Sequence, residues 1–159
     1  MPIYNEEKRG IGVNKKEKAL ELARAIALFA HDGQVDKLGV DYYKHPEAVA
    51  AKCTSLDSKT VAYLHDVVED TSISLDILKG LGFENDIVEA VRCLTKEAGY
   101  DEEDYIRRIK NNSLARQVKL ADLEHNSDID RINSGTDEVK ELLLKKREHY
   151  LEMIKKLND

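Results

Sequence analysis

Tryptophan is missing from this chain of 159 residues, and proline and cysteine occur only twice each. Cys53 and Cys93 stand far apart and form no CxxC pair, which argues against a disulfide scaffold or a thiolate zinc site and fits a reducing compartment. No apolar run approaches the roughly 20 residues that a membrane span needs. The first ten residues, "MPIYNEEKRG", also lack the apolar core of a signal peptide. A cytoplasmic protein without a membrane partner is expected. Positive charge is in deficit: 25 Lys and Arg face 31 Asp and Glu, for a formal net charge of -6. A non-specific nucleic-acid binder is therefore not expected. No repeat, low-complexity tract or linker divides the chain, and 42% hydrophobic residues are enough for one packed core. A single domain over 1–159 is expected, while the oligomeric state is left open.

What the chain does contain is helix-forming sequence, rich in Ala, Leu, Glu and Lys. In "NKKEKALELARAIALFAHDG" the apolar residues Ala19, Leu22, Ala23, Ile26 and Ala30 recur at three- and four-residue steps. Asn14 can cap that helix and Gly33 can end it. Pro46 suits the first turn of a helix through "PEAVAAKC" and puts His45 at its N-terminal edge. A third helix is predicted from about Asp57 or Ser58 to Asp70. A short turn at "LDILKG" and a helix "NDIVEAVRCLTK" follow. Asp101 can cap "EEDYIRRIKNN", and Ser113 can cap "LARQVKLADLEHNSD". A long last helix from about Asp137 to Leu157 carries a stripe of Val139, Leu142, Leu143, Tyr150, Ile154 and Leu157, with acids first and lysines last, as the macrodipole favours. No segment alternates as a strand does. The expected fold class is a compact all-α bundle.

Chemistry concentrates in "TVAYLHDVVEDT", residues 60–71. Within a predicted helix, His65 lies above Glu69 and Asp66 above Asp70. Three carboxylates so close repel and desolvate badly unless a cation lies among them, and His with Asp is a natural ligand pair for a divalent metal. Other ligands must come from elsewhere. His45, pinned by Pro46, and Asp122, which interrupts the apolar "VKLADL" with Lys119 at i−3 and Asn126 at i+4, are the candidates. His45, His65, Asp66 and Asp122 would together hold one ion and leave positions open for water and a substrate oxygen. Glu69 and Asp70 would then orient or deprotonate that water.

Each residue alone has a plainer reading. His-Asp dipeptides are common on surfaces, His45 can be a cap or packing residue, and Asp122 can face solvent with Lys119 as its partner. His31, His125 and His149 read as structural or exposed, and the two cysteines as core thiols. Their joint occurrence in this order is what favours a metal site.

With "AHDGQVDKLGVDYYKHP", "LHDVVEDT" and "VKLADLEHN", the chain resembles the HD-domain phosphohydrolases. Among them it is most similar to the hydrolase domain of the Rel/Spo alarmone enzymes and their small stand-alone relatives, over about residues 23–130. The resemblance implies an all-helical HD bundle with one Mn²⁺ held by His45, His65, Asp66 and Asp122. It also implies that Glu69 and Asp70 manage the attacking water and that Asn126 contacts the nucleotide. In that family the substrates are guanosine tetra- and pentaphosphate, which lose pyrophosphate from the 3′ position. Two departures are visible. Asp36 stands where such hydrolases carry an arginine implicated in stacking on the purine, with Lys37 retained, and Asp41 replaces the proline expected before Tyr42. A carboxylate cannot stack as a guanidinium does.

The resulting expectation is a metal-dependent phosphohydrolase of a nucleotide-like phosphoester or phosphoanhydride, with Lys37 and Lys119 as candidates to neutralise substrate phosphates. Two alternatives stand beside it. One is an HD-type nucleotidase of nucleoside monophosphates, and the other is a non-catalytic nucleotide-binding regulatory module. Synthesis of alarmones is not expected, because no separate synthetase domain is present in these residues.

Overall fold

Residue-level propensities are realised almost everywhere as helix. A computed structural model describes residues 14–159; the targeting-segment reading of the first ten residues lies outside them. Among the described residues the elements are α1 (Lys15–Ala30), α2 (Lys44–Lys52), α3 (Leu56–Leu64), α4 (Val67–Asp70), α5 (Leu75–Gly80), α6 (Asn85–Leu94), α7 (Glu102–Lys110), α8 (Ser113–Asn126), α9 (Ile129–Asn133) and α10 (Asp137–Asn158). Beyond these helices, a single isolated antiparallel bridge joins Val35 and Asp41. The all-α expectation therefore holds for the described residues.

The caps explain several boundaries. Asn14 accepts from the backbone of Lys16 and Glu17 while Glu17 reaches back, a capping box at the start of α1. Asp101 caps α7 as expected. At α8 the cap is Asn112, whose side chain accepts from Ala115, so Ser113 is the first helical residue rather than the cap. α3 likewise begins earlier than predicted, because Ser55 and Ser58 cap each other reciprocally. Gly33 lies two residues past the His31 cap of α1 at a φ of +77°, a conformation natural to glycine.

α3 and α8 lie at the centre. α3 packs on α1, α2, α6 and α8, and α8 packs on α2, α3, α6, α7 and α10. Val61, Ala62 and Leu64 of α3 meet this core fully buried, as do Ala115 and Val118 of α8 with Leu123 nearly so. Each such Val or Leu stabilises the bundle by about 1.5–3 kcal/mol. On α10 the expected stripe needs one correction: Leu142 is 44% exposed, whereas Leu143, Met153 and Leu157 are the buried residues. Leu143 and Leu142 lie about 100° apart on the helix, so with Leu143 turned inward Leu142 points to solvent.

Candidate metal centre

α2, α3 and α8 pack on one another pairwise, and each delivers one buried polar head to the place where they meet. His45 is the second residue of α2, His65 is the C-cap of α3, and Asp122 lies in α8 between Ala121 and Leu123. All three are 5% exposed or less. Burying such groups is costly unless they satisfy one another or an ion.

The expected single helix from Asp57 or Ser58 to Asp70 is interrupted. α3 ends at Leu64, Asp66 turns to φ −105° and ψ −4°, and α4 resumes as a single turn. The Asp70 N–H still donates to the Asp66 carbonyl at 2.9 Å, so Asp66 and Asp70 keep the expected i to i+4 relation, while His65 is separated from Glu69 by the break. Side-chain bonds account for the break. The Nδ1 of His65 donates to the Ala62 carbonyl at 2.6 Å, and Asp66 Oδ2 accepts from the Tyr42 hydroxyl at 2.6 Å. Because a carbonyl only accepts, His65 carries a proton on Nδ1 and turns Nε2 inward.

Four heads converge there. His45 Nε2 lies 2.9 Å from Asp122 Oδ1, His65 Nε2 lies 3.0 Å from Asp66 Oδ2, and the two Nε2 atoms are 3.3 Å apart. His45 to Asp66 and His65 to Asp122 both measure 3.7 Å. Ligand atoms about 2.1 Å from one ion stand roughly 3.0–3.4 Å apart at octahedral or tetrahedral angles; the three shorter separations come close to that spacing, and His45, His65 and Asp122 form one group that could hold a divalent cation, with Asp66 beside it and grouped with Glu69 and Asp70.

The electrostatics agree with a site built to hold charge. Burial alone would raise the Asp66 and Asp122 carboxyls, yet His65 holds Asp66 well below the usual range, and Lys119 with His45 and His65 does the same for Asp122. Although burial opposes it, the charge of Asp66 with Asp122 raises His65. Lys119, also buried, donates to Asp122 Oδ2 at 2.7 Å, and the Asn126 amide donates to Asp122 Oδ1 at 2.8 Å. Glu69 and Asp70 stand beside Asp66 at the open rim, within the spacing of a second acidic group. Glu69 accepts from the Lys96 backbone N–H at 2.6 Å. Burial, then Asp66 and Glu69, push the Asp70 carboxyl up to about 6, a value at which a carboxyl can take or give a proton near neutral pH.

Lys37 does not enter this cluster. It lines an adjoining cavity of about 320 Å³ that shares Tyr42, His45, Asn126 and Tyr150 with the metal cleft. Several residues missed in the sequence also line it. Lys146 faces Lys37, whose ammonium, together with burial, holds the Lys146 pKa below its ordinary value. Arg131 pairs with Asp36 at 2.6 Å. His125, read as structural or exposed, places Nδ1 2.8 Å from Nδ1 of His45. Its position three residues after Asp122 was the available signal. His31 is buried, bonds Gln34 through Nδ1 at 2.8 Å, and leaves Nε2 without a partner among the described residues.

No family model matches the chain. In an alignment of 123 positions that covers 69% of this chain, it is 32% identical to the bifunctional (p)ppGpp synthase/hydrolase SpoT of Escherichia coli K12. It is equally similar to the guanosine-3′,5′-bis(diphosphate) 3′-pyrophosphohydrolases of Escherichia coli O157:H7 and Shigella flexneri. The chain spans 18% of the length of these curated relatives. Among solved structures it is similar to a metazoan ortholog of SpoT described as hydrolysing ppGpp. The TM-score is 0.63 with 25% identity, over 88% of this chain and 92% of that one. The chain has a Rel/Spo-like HD fold. This HD fold is what brings the heads of α2, α3 and α8 to one point, and it accounts for the order of the motifs along the chain. No helix among the described residues is long and apolar enough to cross a membrane.

Proposed function

We propose that this HD-fold chain is a metal-dependent phosphohydrolase that removes pyrophosphate from the 3′ position of guanosine tetra- or pentaphosphate. The observation that carries the reading is the buried group His45, His65 and Asp122, next to the acidic group Asp66, Glu69 and Asp70, whose Asp66 Oδ2 lies 3.0 Å from His65 Nε2, with a donor-rich cavity next door. Relatives named for this reaction give the substrate. Mn²⁺ is our choice of ion among those that mixed imidazole and carboxylate ligands admit. A cytoplasmic location suits Cys53 and Cys93, which are buried and unpaired.

A divalent ion held by the four heads would acidify water and polarise a phosphoryl oxygen. The chain's own groups do the rest. His45 and His65 present Nε2, and their Nδ1 atoms are held by His125 and by Ala62, so both rings are oriented before any ligand arrives. Glu69 and Asp70 position the attacking water and receive its proton. The water oxygen bonds to the 3′-linked phosphorus as the bond from that phosphorus to the ribose oxygen breaks, the ribose oxygen takes up a proton to become the 3′ hydroxyl, and pyrophosphate is released. Lys37 and Lys146, two ammonium groups facing each other in the adjoining cavity, are suited to a phosphate of the substrate. Lys119 is tied to Asp122 and balances charge within the cluster. Asn126 uses its amide nitrogen on Asp122, and its amide oxygen has no hydrogen bond among the described residues, which suits it to the nucleotide.

Mn²⁺-loaded protein should convert guanosine tetraphosphate to guanosine diphosphate and pyrophosphate, resolved by chromatography. Orthophosphate from nucleoside monophosphates instead would make it a nucleotidase. Tight binding without turnover across a nucleotide panel would make it a regulatory module.

A further inference from the structure

The cavity beside the metal cleft has a wall whose charge cannot be read from the sequence alone. Asp36 lies on the loop between α1 and α2, where its carboxylate faces this cavity. Its Oδ1 accepts the backbone N–H groups of Leu38 at 2.8 Å and Val40 at 3.0 Å, and its Oδ2 accepts from Arg131 of α9 at 2.6 Å. Three of this carboxylate's roughly four acceptor positions are engaged. Asp36 therefore organises its own loop and carries a guanidinium, leaving little for a ligand to meet as an acceptor. A second contact fixes the same loop: Gly135, in the turn between α9 and α10, has no Cβ, and one placed there would stand 2.8 Å from Leu38 Cδ2. The loop thus meets α9 at Arg131 and the turn after it at Gly135.

Arg131 is only partly used by this bond. Its guanidinium makes no other hydrogen bond among the described residues, and none of its nitrogens is buried without a partner. It also lines the cavity, so its remaining donors face a ligand there. The groups around it are mostly donors as well, namely Lys37, Lys146 and the Tyr150 hydroxyl. A planar ligand with two adjacent acceptors suits such a wall, and a ligand that presents an amino group to it does not. Among nucleobases, guanine presents O6 and N7 together, whereas adenine presents an amino group beside N7.

We propose that Arg131, supplied by α9 and held by Asp36, is the specificity-determining residue of the site, reading the acceptor edge of the substrate's base and favouring guanine over adenine. This inference rests on the phosphohydrolase reading only in placing the nucleoside next to the metal cleft. The Asp36 and Arg131 pair then restores a guanidinium to a loop that lacks its own, and it comes from a different element.

Equilibrium binding of guanosine and adenosine diphosphates, measured by calorimetry on the full chain, tests it separately from turnover. The wild-type protein should prefer the guanosine nucleotide by about fivefold to 150-fold, the range of one good bidentate contact. Arg131→Ala should bring that ratio near one, and Arg131→Lys should not restore it, since an ammonium lacks the fork. Asp36→Asn, which keeps an acceptor for the loop but loses the ion pair, should lower the ratio in part. A purely structural pair would weaken both nucleotides equally and leave the ratio alone. That result, or a wild-type ratio near one, overturns the proposal. If the ratio behaves as expected but no nucleotide is hydrolysed, the hydrolase reading fails and the base-reading role stands.

Discussion

Removing Asp122 should damage the protein even where no metal is involved, and the size of the effect follows from its neighbours. Its carboxylate accepts from Lys119 at 2.7 Å and from Asn126 at 2.8 Å, and it faces His45 at 2.9 Å. The Lys119 side chain is 12% exposed, so in Asp122→Ala its ammonium keeps its charge in a nearly dry setting. Stranding one member of a buried pair costs about 3–5 kcal/mol. The Tyr105 ring, 5.7 Å from Lys119 Nζ, remains as partial compensation of up to about 2 kcal/mol, which places the expected loss near the low end, about 3 kcal/mol. In a domain of this length that corresponds to a fall in Tm of roughly 6–12 °C. Urea and thermal unfolding in the presence of a chelator measure it without the ion. The double variant Asp122→Ala with Lys119→Met should recover most of the loss, because the stranded charge is gone. A loss under about 1 kcal/mol, or a double variant no more stable than the single one, would refute the view that Asp122 neutralises a buried lysine.

Other outcomes follow from the same geometry. Glu69→Gln should retain the ion, by metal titration, and lose about 10²- to 10⁴-fold in turnover; full activity would remove Glu69 from the reaction. Mn²⁺ at a hundred times its Kd should stabilise the fold by about 2.7 kcal/mol, and an unfolding midpoint indifferent to metal would count against the four-headed site. Asp36 supplies a pH signature. Burial would raise its pKa, but the Val40 and Leu38 N–H groups and Arg131 hold it below the ordinary carboxylate value. Its stabilising contribution is therefore present above about pH 3.9 and is lost as pH falls through the lower folded value. Wild type and Asp36→Asn should differ in unfolding free energy at pH 5 and converge as the pH approaches 2; a constant difference would show that the charge is irrelevant.

Regular periodicity made most of the fold legible. Asn14 and Asp101 marked helix starts correctly because their side chains cap locally, with no need of distant partners. The four metal-candidate residues were legible as types and spacings, and the bundle brings them together. What could not be read was anything decided by a contact distant in sequence. The break at Asp66 depends on Tyr42, 24 residues away, while the local pattern of "VAYLHDVVED" is satisfied equally well by one helix. The short α9 was not foreseen, since "IDRIN" is too brief for a periodic signal. Asp36 looked like a lost cation because its partner lies 95 residues further along the chain.

The interruption between α3 and α4 has a bearing on anyone transplanting this site. In the proposed site two neighbouring residues would share one ion across a joint where the helix is interrupted, so the dipeptide by itself is not a portable cassette. A graft onto an uninterrupted rod would aim the imidazole and the carboxylate along diverging radii. Adding or deleting one residue at that joint would spin everything downstream by about 100°, and length variation should accordingly be accepted in the loop after α6 long before it is accepted here.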